Sequence, residues 1–160
     1  MPKTVIGIDP GKNGGIVALN DSPIITAIKM PATEQGILDA LGECHTSDTH
    51  AYLEWIHPAI QGVGKSSMSK LYGNYKALRM ALVAASIPFE EVKAANWQKG
   101  MGIARRLKTE TTTQWKNRLK SRAQELFPEK HFGVRITLAN CDALLIAEYG
   151  RRLPWTTVKS

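Results

Sequence analysis

The stretch Val5-Ile6-Gly7-Ile8-Asp9-Pro10-Gly11 joins an apolar run to an acid and then to a turn. Apolar β-branched residues favour a buried strand, and Asp-Pro-Gly is a common turn sequence. A carboxylate at the end of a buried strand is costly to desolvate, yet it is well placed to bind a divalent cation beside a phosphate. Asp9 taken alone therefore indicates either a metal ligand or only a turn.

The regions around this strand predict an α/β fold. Short apolar runs separated by Gly, Asn, Asp and Pro indicate a hairpin meander, and alternating helices and strands follow it. This order favours a single domain over residues 1–160, built on a five-stranded mixed sheet with helices on both faces. The predicted strands are Thr4–Asp9, Gly15–Leu19, Ile24–Met30, Ala51–Ile56 and Ile87–Val92, and the predicted helices are Thr33–Glu43, Met68–Ala85, Thr111–Phe127 and Asn140–Arg152.

The composition indicates a basic protein of a reducing compartment. The chain carries 21 Lys and Arg against 14 Asp and Glu, which favours polyanionic partners, nucleic acid above all, although surplus lysine also serves solubility. Cys44 and Cys141 match neither a zinc spacing nor a disulfide framework. No apolar run approaches a membrane span and the first residues do not resemble a signal peptide, so we expect a cytoplasmic protein.

Two further acids occupy unusual positions. Glu54 lies inside the predicted strand Ala51–Ile56, whose two faces both look buried, and Asp142 begins the predicted last helix. Each also has an ordinary interpretation, because Glu54 could line an exposed strand face and an acid in the first turn interacts favourably with the helix dipole. A buried unpaired carboxylate is expensive, however, and a bound cation offsets that cost.

These acids make chemical sense as a set. If the first and fourth strands are neighbours and the last helix begins beside them, Asp9, Glu54 and Asp142 converge. Hard oxygen ligands suit Mg²⁺ or Mn²⁺, and two such ions about 4 Å apart can activate water and stabilise the leaving oxygen of a phosphodiester. We therefore expect the three acids to be catalytic and metal-binding residues in the hydrolysis of a nucleic-acid backbone.

Three motifs, in this order, resemble those of the RuvC-like Holliday junction resolvases, in particular the compact bacteriophage branch. They are Gly7-Ile8-Asp9-Pro10-Gly11, an apolar-flanked Glu54 and Asp142-Ala143-Leu144-Leu145-Ile146-Ala147, and they span nearly the whole chain. The resemblance implies a ribonuclease H-like fold, a homodimer, and Mg²⁺-dependent symmetrical nicking of four-way DNA junctions, with Mn²⁺ able to substitute. It also implies a bacterial cell or a phage-infected bacterium as the setting.

One position departs from the bacterial family pattern. That pattern has a further aspartate one helical turn before the last one, where this chain has Ala139. Glu148 cannot replace it, because six residues at about 100° each place it on a different helix face from Asp142. Asn140 could supply a carbonyl oxygen, but we expect it to cap the helix. The predicted site therefore contains three carboxylates.

Two segments are candidates for DNA contact. Gly64-Lys65-Ser66 imitates a phosphate-binding loop, but Ala59 stands where the full pattern requires glycine, so we expect a flexible loop, Gly62–Ser69, that donates to DNA phosphates. The stretch Lys93–Arg122 is strongly basic, with one acid, Glu110. The predicted DNA-binding residues are Lys12, Lys65, Ser66, Ser67, Lys70, Lys99, Arg105, Arg106, Lys108 and Lys116, with Arg151 and Arg152 as weaker candidates.

The basic stretch also contains two tryptophans and a Gly-containing segment. Trp97 and Trp115 could stack on opened bases, although a tryptophan more often packs in a core. Residues 100–108 resemble a loop that could become ordered on DNA. The helix containing Leu71, Leu78 and Leu82 is our candidate dimer surface, with ordinary core packing as the alternative.

Other functions stay open at this stage. A nuclease of the same fold could act on RNA hybrids or flapped DNA. The chain could instead be a non-catalytic basic DNA-binding module whose acids are remnants. The turn from Gly11 to Gly15 leaves an ATPase-like member of the superfold as a third possibility.

Overall fold

A computed structural model describes residues 4–21, 25–58 and 64–154 of the chain. Five strands and six helices lie within these ranges. The strands are β1 (Thr4–Asp9), β2 (Gly15–Asn20), β3 (Thr26–Lys29), β4 (Thr49–Glu54) and β5 (Phe89–Val92). The helices are α1 (Glu34–Cys44), α2 (Lys65–Ala84), α3 (Ala94–Gly100), α4 (Thr112–Leu126), α5 (Glu129–Phe132) and α6 (Cys141–Arg152).

The strands form one mixed sheet in the order β3-β2-β1-β4-β5. β1 and β2 pair antiparallel, as do β2 and β3, so the N-terminal segment is the expected meander. β4 pairs parallel with β1 on one side and with β5 on the other. The predicted five-stranded mixed sheet is confirmed, and the parallel pairing of β1 with β4 brings their carboxyl ends to the same edge of the sheet.

Helices cover both faces of this sheet, as expected. Alternate side chains of β1 enter different cores because successive residues of a strand point to opposite faces. Val5 packs in the core that contains Trp97 of α3 and Leu145 of α6, whereas Ile6 and Ile8 pack in the core formed with α1 and α2. A strand that is buried on both faces must be apolar throughout, which explains the continuous apolar run of β1.

The helix α6 crosses the sheet in direct contact with the backbone of β1. A β-carbon on Gly7 would overlap the carbonyl oxygen of Ala143 and the amide nitrogen of Ala147. A β-carbon on Gly15, the residue that pairs with Asp9, would lie 3.3 Å from the carbonyl oxygen of Ala139. The start of α6 therefore lies beside the carboxyl end of β1.

Several element boundaries differ from those predicted. β4 ends at Glu54, so this acid closes the strand and does not lie inside it. α2 begins at Lys65, so residues 65–69 are helical and not part of a loop, while residues 62–63 lie outside the described part of the chain. β5 begins only after Pro88, which has no N–H for a strand ladder, although its carbonyl oxygen accepts from the Ala51 amide at 2.9 Å.

Smaller differences concern short elements. β3 spans Thr26–Lys29 within the predicted range, and Ile24 lies outside the described residues. The helices α3 and α5 were not predicted, because seven and four residues are too few to show a helical period. The α1, α4 and α6 helices lie within one residue of their predicted limits.

The structure also bears on what the sequence indicated about the cysteines and about membrane-spanning segments. Cys44 and Cys141 are both buried free thiols. Among the described residues, no helix is both long enough and apolar enough to cross a membrane.

The close approach of α6 to Gly7 can be tested by a substitution that adds one methyl group at this position. Gly7→Ala should lower the free energy of unfolding by about 1–3 kcal/mol, because the added carbon must displace the backbone of α6. Gly73→Ala is the matched control: it meets nothing within 4 Å outside its own helix and should be neutral or stabilising by up to about 1 kcal/mol. Urea unfolding followed by circular dichroism measures both, and equal values would contradict this packing.

Candidate active site

Asp9 and Glu54 lie side by side at the carboxyl ends of adjacent parallel strands. Ile8 of β1 pairs with Leu53 of β4, so the next residue along each strand is one of the two acids. Asp9 shares its face with Gly7, because residues two apart in a strand point the same way. Glu54 likewise shares its face with Tyr52, and both acids therefore point to the face covered by α6.

Asp142 joins them from the first turn of α6. The contact of Gly7 with Ala143 sets this turn over the carboxyl end of β1, next to Asp9. All three acids are half-buried, so each keeps some access to solvent. The three acids are therefore near enough for their charges to interact, and each is supplied by a different element.

Burial disfavours the ionised forms of all three carboxylates, and the charge of Asp9 adds to this effect at Glu54 and Asp142. Burial, then repulsion from Asp9 and, to a smaller extent, from Asp142 raise the pKa of Glu54 to about 8. Burial and then Asp9 raise the pKa of Asp142 to about 6. Burial also raises the pKa of Asp9, although the Gly11 amide opposes this by donating to Asp9 Oδ1 at 3.0 Å. Negative charge is therefore concentrated where water can compensate it only in part.

Lys116 of α4 is the basic side chain that acts on all three acids. Its ammonium group lowers the pKa of Asp9, Glu54 and Asp142 by direct charge attraction. The side chain is half-buried, unlike the other predicted DNA-binding residues, which are exposed. Lys116 therefore lies at the acidic cluster, whereas the sequence indicated only a member of a basic stretch.

The turn after Asp9 is held from two sides. A β-carbon on Gly14 would overlap the carboxylate and carbonyl of Asp9, so glycine lets the turn fold back against this acid. The Asn74 side chain of α2 donates a hydrogen bond to the carbonyl oxygen of Pro10. The orientation of Asp9 thus depends on a residue far away in the sequence.

Glu54 is held by Trp97 of α3. The indole nitrogen donates to Glu54 Oε2 at 2.7 Å, and the ring is 1% exposed. Of the two interpretations of Trp97, core packing is confirmed and base stacking is excluded, because a buried ring cannot meet an opened base. Trp115 is half-buried, and the Arg118 guanidinium lies 4.8 Å from the centre of its ring.

The residues near the missing fourth acid take other roles. Asn140 occupies the position before α6, but its side chain does not cap that helix. It accepts from the Thr137 amide at 2.8 Å and donates to the Arg135 carbonyl at 3.1 Å, so the capping prediction is wrong. Glu148 is buried and bonded to Arg151 and Arg152, which agrees with its exclusion from the site. This pairing also makes both arginines weaker candidates for DNA contact.

The donor set fits a hard divalent cation. Oxygen ligands suit Mg²⁺ and Mn²⁺, and a cation would offset the mutual repulsion of the three carboxylates. Within residues 4–21, 25–58 and 64–154, no group of three or more His, Cys, Asp or Glu side chains is arranged so that it could hold a metal ion. The fit to a cation therefore rests on the chemistry of the carboxylate donors and on their charge repulsion.

Comparisons with solved structures match this architecture. RuvC of Thermus thermophilus superimposes with a TM-score of 0.54 and 17% identity, covering 91% of this chain and 92% of that one. T. thermophilus RuvC in complex with its Holliday junction substrate gives a TM-score of 0.58 and 15% identity, covering 91% of this chain and 90% of that one. The chain has the ribonuclease H-like fold of RuvC. No protein-family model and no curated protein sequence matches it.

The RuvC-like fold places most of the predicted DNA-binding residues on its surface. Lys65, Ser66, Ser67 and Lys70 are exposed on the first turns of α2, which corrects the flexible loop that we expected to carry them. The others that are exposed lie in the turn after β1, at the end of α3 and between α3 and α4, and they are Lys12, Lys99, Arg105, Arg106 and Lys108.

The segment between α3 and α4 is braced from within. Arg118 contacts both carboxylate oxygens of Glu110, at 2.7 and 3.0 Å, and donates to the carbonyl of Ala104 at 3.1 Å. Arg106 bonds to the carbonyl of Glu110 at 3.3 Å, and Arg122 to that of Met101 at 2.8 Å. Residues 101–111 therefore have internal partners before any DNA is bound, contrary to the expectation of a loop that becomes ordered on DNA.

Sequence reasoning missed two residues that hold the acids. Asn74 looked like an ordinary helix residue, and no local pattern connects it with Pro10. Trp97 was noticed only as an aromatic residue in a basic stretch. The signal that could have identified Trp97 is its position five residues after Val92. Because Val92 pairs with Glu54, the residues that follow β5 begin beside this acid.

The raised pKa values predict how the metal-free protein responds to pH. Folding raises the pKa of Glu54 from 4.5 to about 8, so the folded state binds more protons in this range than the unfolded chain. The stability contributed by protonated Glu54 is present below pH 4.5 and is lost as the pH rises through about 8. In EDTA, the melting temperature should therefore fall between pH 5 and 8.

Glu54→Gln should flatten this pH profile and raise the melting temperature at pH 8, because the amide stays neutral and still accepts from Trp97. Glu129→Gln, which changes an exposed acid of α5, should leave the profile as it is in the wild type. Differential scanning fluorimetry measures all three proteins. A profile for Glu54→Gln as steep as that of the wild type would contradict the assignment.

Proposed function

We propose that this chain is a structure-selective endodeoxyribonuclease that resolves Holliday junctions and other branched DNA. The activity is divalent-metal-dependent hydrolysis of phosphodiester bonds, carried by a single RuvC-like nuclease domain over residues 1–160. Its setting is the cytoplasm of a bacterial cell or of a phage-infected bacterium. Asp9, Glu54 and Asp142 are the proposed catalytic and metal-binding residues.

One observation carries the proposal. Three acids from β1, β4 and α6 face the same side of a RuvC-like sheet, where burial raises the pKa of each and the charge of Asp9 raises the pKa of the other two. A protein that used this fold only as a scaffold would have no need for that electrostatic cost. The similarity to a structure of RuvC bound to a Holliday junction supports branched DNA as the substrate.

Each residue of the site has a chemical task in this proposal. Asp9, Glu54 and Asp142 would hold Mg²⁺ or Mn²⁺, which polarises phosphate and lowers the pKa of water when bound. Lys116 balances the negative charge of the acids and can attract the scissile phosphate toward them. Trp97 and Asn74 hold the acidic segments in place from neighbouring helices.

The exposed cations form the proposed DNA surface. Phosphates approach a basic surface because counterions are released, and this attraction depends little on sequence. The first turns of α2 follow directly on the segment after Glu54, and Lys12 lies in the turn after Asp9. The remaining contacts would come from Lys99, Arg105, Arg106 and Lys108, which are all exposed.

The proposal is tested by cleavage of labelled substrates. With Mg²⁺, the wild-type protein should cut a four-way junction in preference to linear duplex DNA, to flapped DNA and to an RNA–DNA hybrid. Asp9→Asn should reduce cleavage by at least about 100-fold, since even groups that only support metal ligands contribute 10–100-fold. It should still bind the junction, because asparagine can accept from the Gly11 amide.

Glu129→Gln is the matched control and should cut like the wild type. Equal product from Asp9→Asn and the wild type would refute the catalytic role and favour a non-catalytic DNA-binding module. Preferential cutting of the hybrid or of flaps would instead favour the alternative nuclease specificity.

We further propose that the protein acts as a homodimer. A junction has two strands to cut, and a two-fold assembly provides two equivalent centres. Leu78 and Leu82 are fully buried and Leu71 packs partly against the same core, so the alternative of core packing holds for these leucines. The outer side of α2 instead carries Met80 and Val83, which are 67% and 62% exposed and one helical turn apart.

The dimer proposal is tested by introducing acidic residues on the outer side of α2. Met80→Glu combined with Val83→Glu should halve the mass measured by light scattering, because the carboxylates would be buried against each other. Leu107→Glu, at another exposed apolar residue, should leave the mass unchanged. A wild-type protein that elutes as a monomer at micromolar concentration would overturn the proposal.

A further inference from the structure

Among the described residues, two fully buried side chains donate a hydrogen bond to a carboxylate of the acidic cluster: Trp97 to Glu54, and Cys141, whose Sγ lies 3.4 Å from Asp142 Oδ1. The indole nitrogen of Trp97 lies 2.7 Å from Glu54 Oε2, and its ring is 1% exposed. The residues of α3 that carry it follow β5 directly, and Val92 at the end of β5 pairs with Glu54. The bond therefore joins two segments that the sheet already holds together.

The ring has little freedom to turn away from Glu54. It packs in the core formed with α4 and α6, among side chains such as Met101 and Leu119. The Met101 amide donates to the carbonyl of Trp97 at 2.9 Å, which fixes the end of α3. Tyr149 of α6 fills the space that a side chain at Gly100 would need. The donor is thus aimed at Glu54 by packing and not by its bond to the acid alone.

An indole suits the task of orienting a carboxylate that must also bind a cation. It donates one hydrogen bond and has no lone pair in the ring plane, so it can neither coordinate a metal nor accept a proton from the acid. A lysine or arginine in its place would repel the cation. The bond uses Oε2, which leaves both lone pairs of Oε1 available.

We propose that Trp97 is a positioning residue that holds Glu54 with Oε1 directed toward the cation site between the three acids. The inference rests on the proposed metal-dependent function and adds a residue outside the acidic motifs to it. Trp97 touches neither substrate nor metal. Without its N–H group, Glu54 would rotate away from Asp9 and Asp142, whose charges repel it, and the affinity for the cation would fall.

The test removes the N–H group with the least change of shape. Trp97 is replaced by Phe, and in a second variant by 3-benzothienylalanine, in which sulfur stands in place of the N–H group. Isothermal titration with Mn²⁺ alone measures metal affinity, and the melting temperature in EDTA measures the fold. Trp115→Phe is the matched control, since it changes a tryptophan that packs partly against the same core.

Both Trp97 variants should bind Mn²⁺ about 10–100-fold more weakly than the wild type, as is typical for loss of a group that orients a metal ligand. In EDTA the benzothienylalanine variant should still unfold cooperatively, with a melting temperature lowered by only a few degrees because one buried hydrogen bond is lost. Junction cleavage should fall at low Mn²⁺ and recover at saturating Mn²⁺. Trp115→Phe should bind Mn²⁺ like the wild type.

Unchanged Mn²⁺ affinity in the benzothienylalanine variant would overturn the role of Trp97, even if Trp97→Phe fails to fold. If the wild type also cuts junctions, only this inference fails. Weakened Mn²⁺ binding in a protein that cuts no junction would support the role of Trp97 and refute the resolvase proposal. A wild-type protein that binds no Mn²⁺ would overturn both.

Discussion

The contact of α6 with the backbone of β1 at Gly7 is the constraint on which the site depends. A helix can approach a strand this closely only where the strand has no side chain, and Gly7 provides that gap under Ala143 and Ala147. The contact sets the first turn of α6, with Asp142, beside Asp9. Any larger residue at position 7 would lift the helix and separate the acids, so the glycine of the first motif and the alanines of the last one have one structural purpose.

The energy of the acidic cluster is unfavourable by itself, and the surrounding residues limit this cost. Burial raises the pKa values of all three acids and repulsion raises those of Glu54 and Asp142, while Lys116, the Gly11 amide and the Trp97 indole act in the opposite direction. These groups oppose the repulsion without cancelling it. The remaining negative potential is what makes the cluster a suitable site for a hard cation and, through it, for a phosphodiester.

The basic residues divide into those that build the fold and those that face outward. Arg118 and Arg122 brace the segment before α4 through carbonyl groups and acids, and Arg151 and Arg152 neutralise the buried Glu148. These arginines use planar donor groups that suit several fixed partners at once. The lysines of α2 and the exposed residues 105–108 have the accessibility that phosphate binding requires. The net charge of the chain therefore overestimates how many basic residues are available to bind DNA.

The sequence by itself determined the sheet, its meander and the three acids, because strand burial and helical spacing leave periodic patterns in the chain. It also indicated that burying the carboxylates of Asp9 and Glu54 costs free energy, since apolar residues flank both in the sequence. Only the tertiary structure decided that Glu54 ends its strand, that Trp97 is buried against it, that Asn74 holds the turn after Asp9, and that Lys116 faces the acids. These contacts join residues that are distant in the chain, and a hydrogen bond or a charge interaction across such a distance leaves no periodic pattern in one sequence.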